Sequence, residues 1–169
     1  GGIVLSYIWL MIFNSVLAHF SKTIVSTQWY AFWGLIIVVC WQQIGYMMII
    51  YIAGIQNIPG ELIEAAKIDG ANAWQLLKNV TLPMLMPTIT ICSFLTLTNG
   101  FKLFDQNLAL TGGNPGKLSE LLALNIYNTM YGMTGWQGVG QAKAVIFFIL
   151  VAVISLVQNK LTTSKEVAE

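Results

Sequence analysis

The sequence predicts an all-α integral membrane protein with about four transmembrane helices. Hydrophobic residues make up 56% of its 169 residues and charged residues only 9%, whereas a soluble domain carries about 25% charged residues. The mean hydropathy is +0.70. Stretches without Asp, Glu, Lys or Arg recur along the chain, and they approach the roughly 20 apolar residues that a membrane-spanning helix needs. A very apolar soluble protein is the alternative that this composition disfavours.

The uncharged stretches locate the spans. We expect them at about residues 3–18, 29–55, 83–104 and 138–159. The stretch from Leu121 to Gln141 is also uncharged, but it contains Asn125 and Asn128, whose amides would need partners in hydrocarbon. We therefore predict a short helix from about Ser119 to Tyr131, lying at the surface or folded into a cavity.

Residues 1–169 form one transmembrane domain in this prediction, with loop 56–82 after the second span and loop 105–137 after the third. Four spans place loop 56–82 on the same side as both tails. The chain starts within an apolar segment, without Met, so we expect it to be an N-terminally truncated fragment. The lysines do not fix the orientation by the positive-inside rule, because they divide four against four: Lys67, Lys78, Lys160 and Lys165 against Lys22, Lys102, Lys117 and Lys143.

The composition excludes several kinds of function. All eight basic residues are Lys and the net charge is +1, so no basic stripe for nucleic acid is present. His19 is the only histidine, and Cys40 and Cys92 stand in apolar runs as small hydrophobes, so we expect no metal site. The segment before Lys117 is not a phosphate-binding Walker A loop, because Thr111 stands where its first Gly is required. We expect no catalytic residue.

Loop 56–82 reads as two short helices joined by a sharp turn. Pro59 suits the first helical position, and Gly70 stands where the first helix should end in a residue with positive φ. Ala65 and Ala66 leave a surface that another backbone can approach closely. An amphipathic loop lying on lipid headgroups is the alternative, but such a loop is rich in Lys, and here acids outnumber the two lysines. A protein-docking loop is favoured.

The same loop resembles the EAA signature of membrane subunits of binding-protein-dependent ABC importers. The matching residues are Glu64-Ala65-Ala66, Gly70 and Val80-Thr81-Leu82-Pro83 at the family's spacing, with Val80 in place of Ile. Asp69-Gly70-Ala71 together with Pro87 is similar to the sugar-importer branch. Leu77 stands where a long aromatic residue is usual, and we expect little effect from this change.

The resemblance covers nearly all of the chain. Trp41, Gln42 and Gly54 look like the span that precedes the signature in the sugar-importer branch. Phe104-Asp105 and Leu110–Gly116 resemble the Thr-Gly-Gly-x-Pro-Gly loop of the subunit type to which the larger membrane subunit of the maltose importer belongs. Gly140–Ala144 is similar to the family's entry into the last span.

The resemblance implies a multi-pass permease in a bacterial inner or plasma membrane that does no chemistry itself. Loop 56–82 would be cytoplasmic and would dock onto an ATPase subunit dimer, which holds ATP and Mg, so this chain would bind no cofactor. The implied partners also include a second permease subunit, an extracytoplasmic solute-binding protein and the bilayer, with no nucleic acid. The implied docking residues are Glu61, Glu64, Ala65, Ala66, Asp69, Gly70, Ala71, Leu77, Leu82 and Pro83.

Polar and aromatic residues on the other side of the membrane are candidates for a solute pathway, because aromatic faces and amide groups bind polyols. They are Asn99, Phe101, Lys102, Phe104, Asp105, Gln106, Asn125, Tyr127 and Trp136. The alternative is that Asn99 and Gly100 mark a helix break and that Lys102 pairs with Asp105. Loop 105–137, the outer loop, contains residues that form turns: Thr111, Gly112, Gly113, Pro115 and Gly116. We expect them to have a role in structure or in contact with the binding protein.

Two rival functions remain at this point. A secondary transporter would need internal repeats or titratable residues within its spans, and neither is evident in the sequence. A purely structural membrane scaffold would lack an ATPase partner. Within the importer family, the solute is a sugar or oligosaccharide by resemblance, and a non-sugar solute is the alternative.

Overall fold

The computed structural model describes residues 1–166, with side chains described through residue 162. Its regular elements are helical throughout this range, which confirms the all-α class for the described residues; residues 167–169 of the predicted domain lie outside it. The helices are α1 (Gly2–Ala18), α2 (Gln28–Gln56), α3 (Gly60–Ile68), α4 (Ala73–Leu76), α5 (Leu82–Met84), α6 (Met86–Phe101), α7 (Phe104–Leu110), α8 (Leu122–Gly132) and α9 (Gln137–Glu166), with a π-helical turn at Leu77–Thr81.

Two of the described helices, α2 and α9, are long and apolar enough to cross a membrane. The segments Ala73–Met84 and Met86–Phe101 count as a third if they form one broken span, bent by 66°. At 17 residues α1 is shorter than the length required of a complete span. Large apolar side chains such as Phe148, 71% exposed, cover α9, as expected of a lipid-facing surface. The count of four spans stays a prediction.

The chain divides into two compact units, whose boundaries fall within α2, α6 and α9. The first unit contains Gly1–Gln43 and Asn99–Val151, and the second contains Ile44–Thr98 and the chain from Ala152 onward. In the first unit α1 packs against α7. Its core consists of buried residues and the partly buried residues packed on them: Leu35, Val38 and Leu110, with Trp9, Leu10 and Phe13.

In the second unit α2 and α6 approach closely at Gly54. A Cβ atom there would lie 2.4 Å from the Thr88 hydroxyl oxygen and 2.9 Å from its methyl group. Only a residue without a side chain therefore fits at this crossing. The sequence resemblance had selected Gly54, and the structure gives the physical reason for glycine.

The predicted third span, 83–104, has different limits in the structure. The helix that fills this range runs from Met86 to Phe101, because Leu85 interrupts it. Pro87 has no N–H group to donate to the carbonyl of Pro83, and its ring crowds that carbonyl, which bends or breaks a helix. Pro83 therefore lies in the short α5 before the break and does not begin the long helix.

Sequence reasoning also missed α7. Leu103, with φ −72° and ψ 49°, is the centre of a tight turn in which the Phe104 amide donates to the Lys102 carbonyl at 2.7 Å, as in an inverse γ-turn. The break predicted at Asn99 and Gly100 is therefore wrong by a few residues, since α6 continues to Phe101. The short helix predicted at 119–131 is present as α8, residues Leu122–Gly132.

Candidate functional site

The turn between α3 and α4 has the hydrogen bonds of a Schellman motif. The Ala71 amide donates to the Ala66 carbonyl at 3.0 Å, and the Gly70 amide donates to the Lys67 carbonyl at 3.1 Å. Gly70 has φ +79°, a conformation that glycine adopts without steric cost. The sharp turn predicted at Gly70 is confirmed. Pro59 is an N-cap residue of α3 and not its first helical residue as expected.

A capping box starts α4 directly after this turn. The Gln75 amide donates to Asn72 Oδ1, and the Asn72 amide donates to Gln75 Oε1, both at 2.9 Å. Each side chain thus satisfies a backbone donor that the first helical turn leaves free. We call residues 56–82 the coupling loop. Hydrogen bonds at the end of α3 and at the start of α4 fix the short connection between its two helices.

Apart from the buried Ile58, most of the coupling loop is exposed, and α3 has no buried residue. Ile68 is 85% exposed and Trp74 is 70% exposed. Between the two helices lies a hollow of about 330 Å³ lined by Ala66, Asp69, Gly70, Ala71, Gln75, Asn79 and Val80. Large apolar side chains beside a hollow are typical of a protein-binding surface. Ile68 and Trp74 were not among the predicted docking residues, although their apolar side chains at the edges of the turn are visible in the sequence.

The other predicted docking residues lie on or next to this surface. Glu61, Glu64, Ala65 and Asp69 are exposed, and Ala66 and Ala71 are half-buried. Within the described residues, the Glu64 carboxylate makes no hydrogen bond or ion pair, so it does not pair with Lys67, which lies three positions further along α3. Leu77 lies in the π-helical turn and Leu82 and Pro83 in α5; π-helical turns are frequent at functional sites.

A small polar cavity lies in the first unit, where α2 meets the end of α6 and the start of α7. It has a volume of about 170 Å³ and is lined by Val39, Gln42, Gln43, Asn99, Lys102, Leu103 and Gln106. Gln106 Nε2 donates to Gln42 Oε1 at 3.0 Å. The structure therefore brings the candidates Asn99, Lys102 and Gln106 together, and it adds Gln42 and Gln43, which were not among the solute candidates.

The remaining solute candidates are engaged elsewhere in the first unit. Phe101 packs edge-on against Phe147 with ring centroids 6.2 Å apart, and Phe104 packs against Tyr127 at 5.1 Å. The Asp105 side chain lies next to Gly2, where an added Cβ would be 3.2 Å away. The alternative Lys102–Asp105 ion pair does not occur in the described residues. Their roles in a solute pathway remain predictions.

The outer loop folds around a buried asparagine. Asn107 is fully buried; its Nδ2 donates to Thr111 Oγ1 at 3.0 Å and to the Ser119 carbonyl at 2.8 Å, and its Oδ1 accepts from the Leu121 amide at 2.8 Å. The Ser119 hydroxyl donates to the Asn114 carbonyl at 2.6 Å. The predicted turn glycines all have positive φ and surround a cis peptide bond before Pro115: Gly112, Gly113 and Gly116. Thr111 thus has a structural role in the loop.

A chain of polar contacts joins this loop to α8 and α9. Glu120 accepts hydrogen bonds from the side-chain amides of Asn125 and Asn128. Lys143 Nζ donates to Asn125 Oδ1 and to Thr129 Oγ1, both at 2.9 Å. These contacts supply the partners that the asparagines of α8 require. Because protein oxygens hold its ammonium group, Lys143 does not extend to lipid headgroups.

The electrostatics of Glu120 make this contact chain pH-dependent. Burial raises the pKa of Glu120, but the hydrogen bonds from Asn125 and Asn128 and the charges of Lys117 and Lys143 together outweigh burial, so its pKa is lowered. A carboxylate with a lowered pKa in the folded state stabilises the protein above its unfolded pKa, about 4.3. This stabilisation is lost as the pH falls through the folded-state pKa.

We expect Glu120→Gln to lower the thermal stability of the detergent-solubilised protein at pH 7. The substitution turns one acceptor oxygen into a donor facing an asparagine amide, which costs about 1–3 kcal/mol. The difference from the wild type should shrink when the pH is lowered below the carboxylate pKa. Glu61→Gln, at an exposed carboxylate that has no partner in the described part of the chain, is the control and should melt like the wild type. An equal effect of both variants would contradict the assignment.

The chain is similar to known membrane permease proteins. Residues 2–164 match the family described as binding-protein-dependent transport system inner membrane component. A relative from Thermoanaerobacterium thermosulfurigenes, named a probable starch degradation products transport system permease protein, is 50% identical over 99% of this chain and 60% of its own length. A multiple sugar-binding transport system permease protein from Streptococcus mutans is 39% identical over 78% of this chain and 45% of its own length.

A third relative is the trehalose/maltose transport system permease protein of Thermococcus litoralis, 36% identical over 77% of this chain and 43% of its own length. The chain thus spans 60% of the first relative and less than half of the other two. It belongs to the binding-protein-dependent transport system inner membrane component family, a family of membrane-embedded permease components.

Proposed function

We propose that this chain is part of the permease subunit of an ATP-binding-cassette importer, and that its coupling loop docks onto a cytoplasmic ATPase subunit dimer. The observation that carries the proposal is the turn centred on Gly70, with a Schellman motif on one side and a capping box on the other. This turn holds an exposed surface of small residues, carboxylates and two projecting apolar side chains, Ile68 and Trp74.

In this proposal the chain performs no chemistry and binds no cofactor. ATP and Mg are held by the ATPase, and closure of the ATPase dimer moves the docked loop. A second permease subunit completes the pathway across a bacterial plasma membrane, and an extracytoplasmic solute-binding protein delivers the solute. The exposed apolar faces of α2 and α9 support a position in the bilayer, and membership of the family supports the set of partners.

The proposed solute is a sugar or oligosaccharide. All three relatives compared above are named for transport of sugars or of starch degradation products. The cavity around Asn99 supports the same choice, since its amide groups can donate and accept hydrogen bonds as hydroxyl groups require. Gln42, Gln43 and Gln106 add further amides to this cavity.

Uptake into proteoliposomes tests the function. The full-length permease, reconstituted with its second permease, ATPase and binding protein, should accumulate labelled maltotriose only when ATP is supplied. Asn99→Leu should raise the apparent KM for uptake about fivefold, because one hydrogen bond to the solute contributes about 1 kcal/mol. Gln141→Leu, an exposed amide outside the cavity, is the matched control. Uptake that persists without the ATPase would contradict the proposal.

Single-cysteine labelling tests the topology. In a background lacking Cys40 and Cys92, a maleimide that cannot cross membranes should label a cysteine at Leu118, whose side chain is 67% exposed, from outside intact cells. A cysteine at Asn72 should react only after the cells are opened, because the coupling loop is proposed to be cytoplasmic. Labelling of both positions from the same face would contradict the arrangement.

A further inference from the structure

An apolar groove runs between α1 and α2 in the first unit. Its volume is about 300 Å³, and its walls are formed by Ile12, Phe13 and Val16 of α1 and by Trp33 and Ile37 of α2. Most of these side chains are about half exposed; Val16 is 59% exposed. Among the described residues, no segment covers the groove.

The floor of the groove is built by the chain between the two helices. Ile24 is only 3% exposed and lies over Gly34, where an added Cβ would be 2.5 Å from the Ile24 Cδ1 atom. Asn14 Oδ1 accepts a hydrogen bond from the Ile24 amide at 2.9 Å. The Thr23 amide donates to the Ser26 hydroxyl at 2.7 Å. Fixed contacts thus define the groove at this end of the helices.

A positive charge stands at the rim. Tyr30 lines the groove, and its hydroxyl accepts a hydrogen bond from Lys22 Nζ at 3.1 Å. The same ammonium lies 5.4 Å from the centroid of the Tyr30 ring. Lys22 is exposed. It is the only residue with a formally charged side chain among the first 60 residues, which otherwise contain no Asp, Glu, Lys or Arg. Among the described residues no carboxylate pairs with it, so its charge is not compensated.

We propose that this groove binds one anionic phospholipid, with an acyl chain along α1 and α2 and the headgroup phosphate on Lys22. The apolar walls suit an acyl chain, because the hydrocarbon buries no polar group of the protein without a hydrogen-bond partner. The cation lies in the connection between the helices, where a helix end meets the headgroup region, and opposite charges attract there because Lys22 has no other anionic partner among the described residues. A zwitterionic lipid is a poorer fit, because its own cationic group would face the uncompensated Lys22 charge.

Native mass spectrometry of the assembled transporter, delipidated and then exposed to defined lipids, measures the binding. Dioleoyl phosphatidylglycerol should be retained more strongly than dioleoyl phosphatidylcholine. Lys22→Gln should weaken phosphatidylglycerol retention about fivefold, equivalent to about 1 kcal/mol for one cation near the headgroups. Lys22→Arg should retain it. Lys117→Gln, which removes an exposed lysine away from the groove, should have no effect.

A second pair of variants tests the acyl-chain part. Val16→Phe fills the groove and should lower retention, whereas Val4→Phe, at an equally exposed position on α1 outside the groove, should not. Glycerol phosphate without acyl chains should fail to compete with the lipid. Equal retention of the two lipids, an unchanged Lys22→Gln variant or an unchanged Val16→Phe variant would each overturn the proposal, and the last would indicate that another protein segment fills the groove.

Discussion

Gly70→Val should abolish transport while leaving the protein inserted in the membrane. Gly70 has φ +79°, and a β-branched residue in this conformation is strained by about 1–3 kcal/mol. Among the described residues, no atom beyond Gly70 and its two chain neighbours lies within 4 Å of the position that a Cβ would occupy, so the effect must come from the backbone and not from a steric clash. Relief of the strain breaks the Schellman motif and changes the angle between α3 and α4. Transport assays, with membrane content measured by immunoblot, check the result.

Gly60→Val is the matched control for this prediction. Gly60 is the first residue of α3, has open space around its Cβ position and is absent from the positive-φ residues. Like Gly70, it has space for a side chain, but its backbone does not have a positive φ. Gly70→Asn should retain part of the activity, because Asn tolerates the left-handed region better than Val. If Gly70→Val transports like Gly60→Val, the turn has no special role.

Glu64→Ala should weaken binding of the ATPase by tens-fold or more without changing expression. The Glu64 carboxylate is exposed and, among the described residues, has no partner, so its removal costs the isolated chain little. A charge pair that becomes buried on docking costs about 2–5 kcal/mol when one member is removed. Glu64→Lys should be more severe. A pull-down of the ATPase with each variant, together with a transport assay, measures both effects.

Lys67→Ala is the control for Glu64. An exposed helical pair of the two residues would contribute only about 0.2–0.5 kcal/mol, and the pair is not formed, so Lys67→Ala should bind the ATPase like the wild type. We expect Glu64 to face a basic residue of the ATPase. Replacing that basic residue by an acidic one should therefore restore part of the activity of Glu64→Lys. Full binding by Glu64→Ala would show that Glu64 is only a solvated position.

The coupling loop was largely predictable because its contacts are local. The end of α3 at Gly70 follows from the conformational freedom of glycine, and Asn72 with Gln75 carries the three-residue spacing of a capping box. The break at Leu85 follows from Pro87, although sequence reasoning put the start of the span at Pro83. Helix boundaries shift by such amounts when neighbouring prolines compete to end a helix.

The polar networks of the first unit were not predictable, because they join residues far apart in sequence. Asn107 is fully buried and bonds to Ser119 and Leu121, and no local pattern selects an asparagine for such a role. Lys143 reaches Asn125 across 18 positions of the chain. A lysine near the end of an apolar helix equally well extends to lipid, and only tertiary structure distinguishes the two.

The hydrogen bonds on both sides of Gly70 have a mechanical consequence. A joint whose backbone donors are already paired has little compliance, so α3 and α4 should behave as a stiff elbow that transmits displacement without absorbing it. Elasticity is then left to Leu85, where Pro87 removes one hydrogen bond and the helix axis turns by 66°. A force applied to α3 should therefore be transmitted through the rigid turn to Leu85, where it acts as a torque on α6. The break caused by Pro87 is then the place where the helix deforms.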